Sequence, residues 1–249
     1  MEGLVHKTVS TNGIIMHFVQ MGSGPVVLFV HGFPEGWFGW RKQIPVFAGA
    51  GFRTIAPDMR GYGDSSAPEG VNNYTYLHIV GDLIGLLDAL GVEKLPGEAE
   101  ARIDQVTYDG FFRHVFSDKF ATLLPDWSKA FEEKGPLPEW TSEEDLAYFI
   151  SEFRKHGLTP AINYYRALDL SWELTAAWTN HKVMVPTIFM IGDHDLVYHF
   201  PNAKQDIERM AERVPLLKKI TVVEGANHFL QLERADIVND HILQFFKSF

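Results

Sequence analysis

Cysteine is absent from the 249 residues, which excludes disulfides, thiol catalysis and sulfur-ligated metal or iron–sulfur centres. Positive charge is scarce. Lys and Arg number 22 against 32 Asp and Glu, a net charge of −10, and no Lys/Arg stripe offsets it, so a nucleic-acid partner is disfavoured. No apolar run approaches the ~18 residues that span a bilayer. The stretch from Met1 to His6 has neither a basic nor an apolar leader segment, so a cytoplasmic chain without a signal peptide is expected. The C-terminal Lys247-Ser248-Phe249 lacks the peroxisomal Ser-Lys-Leu form. His194, His199 and Asp193 lie close together, but no His-Glu-x-x-His or similar spacing marks a metal site. Repeats, linkers and low-complexity tracts are missing too.

What remains has ordinary globular composition, 46% hydrophobic with 19 Phe, enough for one large core and for an apolar cavity or cap. Asn12-Gly13 between two strand-like runs predicts a hairpin. Val26 to Val30 then runs without a polar break into His31-Gly32-Phe33-Pro34-Glu35, the pattern of a parallel strand covered on both faces. Gly32 and Pro34 shape a loop able to present a backbone N–H, that of Phe33, to a negative group. Pro45 makes any helix over Trp37 to Phe47 short or bent. A second strand, Phe52 to Pro57, ends in Asp58-Met-Arg-Gly-Tyr-Gly-Asp64. A helix from Tyr74 to Leu90 is expected to bury Leu77, Val80, Ile84, Leu87 and Leu90, with Gly91 as its stop.

Pro96-Gly97 halts the next strand at its approach, and no buried strand is read between residues 96 and 182. That interval holds an acidic helix-prone stretch, Glu98 to Ile103, aromatic material at Phe111, Phe112 and Phe116, and helices starting at Thr141 and at Thr159-Pro160. Strand signals resume at Val183 to Ile191, ending in Asp195, and at Ile220 to Val223, ending in His228. An amphipathic helix from Ala203 to Val214 separates them, and one from Ala235 to Phe246 closes the chain. Functional groups collect at the carboxyl ends of parallel strands. A His held by an acid becomes a base of fixed tautomer, and acid before His after an early oxyanion loop is the α/β-hydrolase order.

These motifs resemble the plant soluble epoxide hydrolases of the α/β-hydrolase superfamily. The likeness runs through His31-Gly-Phe-Pro-Glu35, Asp58-Met-Arg-Gly-Tyr-Gly-Asp64, Asn163-Tyr-Tyr-Arg-Ala-Leu168, Trp172-Glu-Leu-Thr175, Gly192-Asp-His-Asp-Leu-Val-Tyr198 and Gly225-Ala-Asn-His-Phe229. It implies a mostly parallel α/β-hydrolase sheet with an N-terminal hairpin and a helical cap, arranged as core 1–95, truncated cap 96–181 and core 182–249. It implies a small apolar epoxide as partner and no cofactor. By the same resemblance, Phe33 gives an oxyanion-hole N–H within the loop of His31, Gly32 and Pro34. Tyr165 is the cap tyrosine that donates to the opening epoxide oxygen, Asp195 orients His228, and His228 activates water to hydrolyse an ester on an Asp nucleophile, giving a vicinal diol.

The departure is as specific as the match. Neither Gly-x-Asp-x-Gly nor Gly-x-Ser-x-Gly occurs in the chain, so no nucleophile is assigned. Leu95 meets Pro96 where the family carries the nucleophile elbow, its strand and helix, a further central strand and the first cap segment. Asp58, Asp64 and Asp109 are the nearest spare carboxylates, and none sits in an elbow sequence. The expectation is a family member with two central strands missing and catalysis impaired or lost; the alternatives are a non-catalytic small-ligand binder and a deletion form that folds poorly. If the remaining strands close the gap, the strand ending at Asp195 pairs beside Val26–Val30, moving acid and base ~10 Å.

Overall fold

Asn12 and Gly13 reverse the chain with positive φ at both, 42° and 78°, the two-residue turn whose twist suits the strands it joins. The computed structural model of the protein describes residues 2–92, 112–113, 115–116 and 136–248. The turn links β1 (Val5–Thr11) to β2 (Ile14–Met21) in antiparallel register, Thr11 opposite Ile14 and Val5 opposite Gln20. β3 (Val26–Leu28) and β4 (Arg53–Pro57) run parallel, and the sheet order is β1-β2-β4-β3. Between them lie a 3₁₀ turn (Trp37–Trp40) and α1 (Ile44–Gly49), with Pro45 in its first turn, so that the helix is short, one of the two forms Pro45 predicts.

α2 (Tyr76–Ala89) lies over this sheet, and Ile14, Met16, Phe18, Ile55 and Leu86 form the core between them. Its buried face differs from expectation. Ile79, Leu83, Leu86 and Leu87 are buried, whereas Leu77 and Ile84 are 41% and 47% exposed. The reason is Asp82. Its carboxylate takes Nε and Nη2 of Arg60 at 2.6 and 2.5 Å and the Asn12 amide at 2.9 Å, and this fully buried pair turns the face around Asp82 inward. Gly85 completes the fit, since a Cβ there would collide with the Thr11 hydroxyl.

β3 departs from expectation as well. It ends at Leu28, and although the Phe29 N–H still donates to Ile55 O at 2.8 Å, Val30 is 37% exposed. The apolar run reads as a strand covered on both faces; among the described residues β4 pairs with it on one edge and nothing pairs on the other.

Three helices follow: α3 (Glu143–His156), stopped by Gly157 at φ 74°, α4 (Thr159–Arg166) and α5 (Leu168–Thr175). β5 (Thr187–Gly192) and β6 (Leu217–Val223) form a separate two-stranded parallel sheet. β5 is shorter than the apolar run from Val183 implies. Pro186 has no N–H for a ladder, and Val183, Met184 and Val185 are exposed. β3 and β5 therefore belong to different sheets among the described residues, so the conditional pairing of these strands is not met. The helix expected from Ala203 to Val214 is two short ones, α6 (Ala203–Glu208) and α7 (Met210–Arg213), breaking at Arg209; neither has a buried residue to hold one straight axis. α8 (Leu230–Glu233) and α9 (Ala235–Phe246) end the chain, with Val238 of α9 packed against Val223, Ala226 and Leu230.

Residue contacts divide the chain into two compact units, Met1–Tyr108 with Glu143–Ala177, and Asp109–Ser142 with Trp178–Phe249. The partition crosses the expected 96–181 cap interval, grouping α3 to α5 with the N-terminal half. The expected stretch 98–103, the Leu95–Pro96 junction, Phe111 and Asp109 lie outside the described residues.

Candidate active site

In the first unit the loop after β3 is built around His31. The Met59 N–H donates to His31 Nε2 at 3.0 Å, so Nδ1 carries the proton and donates to Gly32 O at 2.8 Å. Burial pulls the imidazole below its usual pKa, only partly offset by the bond to Gly32. A neutral ring of one tautomer thus ties the His31–Glu35 loop to the Asp58–Asp64 loop. The Phe33–Pro34 peptide is cis, the buried Glu35 accepts the Gly32 N–H at 3.3 Å, and the Glu35 N–H returns to Gly32 O at 3.2 Å.

Aromatic rings gather on Phe33. Tyr165 meets it edge-on at 5.7 Å between centroids and Phe153 at 6.3 Å; Phe153 in turn meets Tyr62 at 5.8 Å. Tyr165 and Phe153 are delivered by α4 and α3. Their neighbour Tyr164 is committed elsewhere, its hydroxyl donating to Arg60 O at 2.8 Å. That separates the two adjacent tyrosines: Tyr164 braces the loop, and Tyr165 faces Phe33.

Two of the three spare carboxylates, Asp58 and Asp64, are described, and both are engaged. Asp58 is 1% exposed. Its Oδ1 accepts the Trp37 N–H at 2.9 Å; its Oδ2 meets His17 Nδ1 at 2.7 Å and the Asp64 N–H at 3.2 Å. Burial alone would push this carboxyl up, but the His17 imidazole and the Trp37 N–H outweigh it and hold it below the usual carboxylate range. Gly63 completes the cradle, because a Cβ there would strike the Asp58 carboxylate. A carboxylate so enclosed serves the loop as a structural acceptor. Asp64 is half-exposed and pairs with Lys155 Nζ at 2.8 Å.

In the second unit β5 and β6 end side by side, and their loops are laced together. The Asp193 N–H donates to Val223 O at 3.1 Å, the His194 N–H to Ala226 O at 2.9 Å and the Gly225 N–H to Asp193 Oδ1 at 2.7 Å. Gly192 is required at the crossing, since a Cβ there would overlap Ala226 O. The lacing brings together the predicted acid and base. His228 Nδ1 lies 3.1 Å from both oxygens of Asp195, and Asp195 Oδ1 also accepts the Val197 N–H at 2.8 Å. Asp195 is buried while the His228 side chain is 40% exposed, so the ring is oriented by a buried acid and reachable from outside. Phe229 beside it packs on Phe116 at 5.0 Å and Trp140 at 6.1 Å, an aromatic wall next to His228.

The second unit thus holds Asp195 and His228 together on neighbouring strand ends, and the first holds Tyr165 against Phe33. The family model for the α/β hydrolase fold matches residues 25–95. Epoxide hydrolase 1 of Siraitia grosvenorii is 38% identical, the match covering the whole of both chains. The chain belongs to the epoxide hydrolase family. Among solved structures, an epoxide hydrolase from Vigna radiata superposes with a TM-score of 0.82 at 38% identity, covering 100% of this chain and 99% of that one. Epoxide hydrolase A of Mycobacterium tuberculosis is 30% identical over 96% of each chain.

Within this epoxide hydrolase family member, three contributors escaped sequence reading. His17 sits in a strand with nothing to mark its bond to Asp58. Tyr62 lies inside a glycine turn motif, and Trp140 precedes a helix start that drew attention to its cap instead.

Proposed function

We propose that this chain retains the small-ligand site of an epoxide hydrolase but lacks its covalent turnover. Phe33 and Tyr165 receive the epoxide oxygen, Asp195 orients His228, and His228 is a base with no ester to hydrolyse. The observation that carries this is the assembled Asp195–His228 pair in a sequence that contains no nucleophile elbow. Losing one triad member in comparable hydrolases costs about 10⁴–10⁶ in rate.

Several features support a missing elbow. The match to Epoxide hydrolase 1 runs over 313 positions against 249 residues here, leaving at least 64 positions opposite no residue of this chain. β3 and β5 carry the apolar sequences of central strands, yet each has an unpaired side among the described residues. Leu77 and Ile84 form an apolar, exposed stripe on α2.

Diol formation from styrene oxide, followed by chromatography, tests the reading. Wild type and His228→Ala are expected to give the same uncatalysed background, while 1-phenyl-1,2-ethanediol binds saturably to the wild type. Turnover that vanishes in His228→Ala would overturn it.

A further inference from the structure

Tyr62 is 6% exposed and its ring is held on three sides, by His31 at 4.6 Å, Phe153 at 5.8 Å and Tyr164 at 5.9 Å between centroids. Its backbone is fixed by the glycine turn, the Tyr62 N–H donating to Met59 O at 3.0 Å and Tyr62 O accepting from Ser65 at 3.0 Å. The neighbouring phenols are spent on carbonyls, Tyr164 on Arg60 O and Tyr74 on Pro68 O, both at 2.8 Å. The Tyr62 hydroxyl makes no hydrogen bond to a described residue, and the influences on its titration are burial and nearby charge alone. Burial pushes this phenol well above its usual pKa, so it stays a protonated donor. The hydroxyl oxygen is not one of the fully enclosed polar atoms that lack a partner, so its donor opens onto accessible space, and a phenylalanine would fill the same ring space without that donor.

We propose that the Tyr62 hydroxyl is a specificity-determining donor that hydrogen-bonds an oxygen of the epoxide or diol received by the Phe33–Phe153–Tyr165 cluster. It selects oxygenated ligands over hydrocarbons of the same shape. Tyr62 reaches that cluster through Phe153, which packs on both Phe33 and Tyr62. The inference rests on the small-ligand site proposed above and adds a residue to it.

Calorimetric titration of wild type and Tyr62→Phe with 1-phenyl-1,2-ethanediol and with ethylbenzene, its oxygen-free counterpart, tests this. One neutral hydrogen bond predicts an about two- to tenfold weaker diol affinity in Tyr62→Phe, with ethylbenzene unchanged. Its thermal midpoint is expected to equal or exceed wild type, because no protein partner is lost. Equal weakening for both ligands, no change for the diol, or a Tyr62→Phe protein that unfolds would each overturn the proposal. If wild type binds neither compound, the small-ligand site fails and Tyr62's role with it; wild-type binding unaffected by Tyr62→Phe removes the tyrosine alone.

Discussion

His228 holds Nδ1 at equal distance, 3.1 Å, from both carboxylate oxygens of Asp195. The buried Asp195 also accepts the Val197 N–H, so it is the hub of the loop as well as the partner of His228. Asp195→Ala strands the Val197 N–H and is expected to lower unfolding free energy by about 1–3 kcal/mol. His228→Ala, at a half-exposed side chain, is expected to cost less. Urea denaturation of both variants measures the order.

His31 makes stability depend on pH near neutrality. Its folded pKa lies below the ordinary 6.5, so below that value the unfolded chain binds a proton that the folded chain refuses. The stability conferred is complete above about pH 6.5 and is lost as pH falls, by up to about 1.4 kcal/mol per pH unit. His31→Gln is expected to flatten this part of the stability profile; a profile unchanged by the substitution would contradict the buried neutral ring.

Asp58 acts in the acid range. Its carboxyl is held below the ordinary 3.8, so its contribution is present above that value and is lost as pH falls through the lower folded value. Asp58→Ala leaves the Trp37 and Asp64 N–H groups and His17 Nδ1 without the carboxylate, and is expected to cost about 3–5 kcal/mol at pH 7. Denaturant melts at pH 7 and pH 3 are expected to show the difference from wild type shrinking in acid.

The open side of β3 has its own signature. The Phe29 N–H is bonded to Ile55 O, and N–H groups alternate sides along a strand, so the Leu28 N–H points away from β4. Hydrogen exchange at Leu28 is expected to run well ahead of exchange at Phe29. Equal protection would mean that another strand covers this edge.

The hairpin was legible because Asn12-Gly13 is a local backbone requirement. Asp195 and His228 were legible because each closes an apolar strand run at the position where α/β sheets keep their chemistry. The buried face of α2 was not legible, because Asp82 is turned inward by Arg60, a partner far along the chain. Nor was the exposure at Val30 and Val183–Val185. Those segments have the sequence of covered strands, and an apolar run does not report which neighbours lie beside it. His17 and Tyr62 stayed hidden for a related reason: the bond one makes, and the bond the other lacks, are properties of the assembled site.

Intact-protein mass spectrometry during a single turnover with styrene oxide tests the central claim most directly. The protein mass is expected to stay unmodified at every time point, with no diol above background. A transient adduct of one styrene oxide per chain, decaying with release of diol and persisting in His228→Ala, would contradict it.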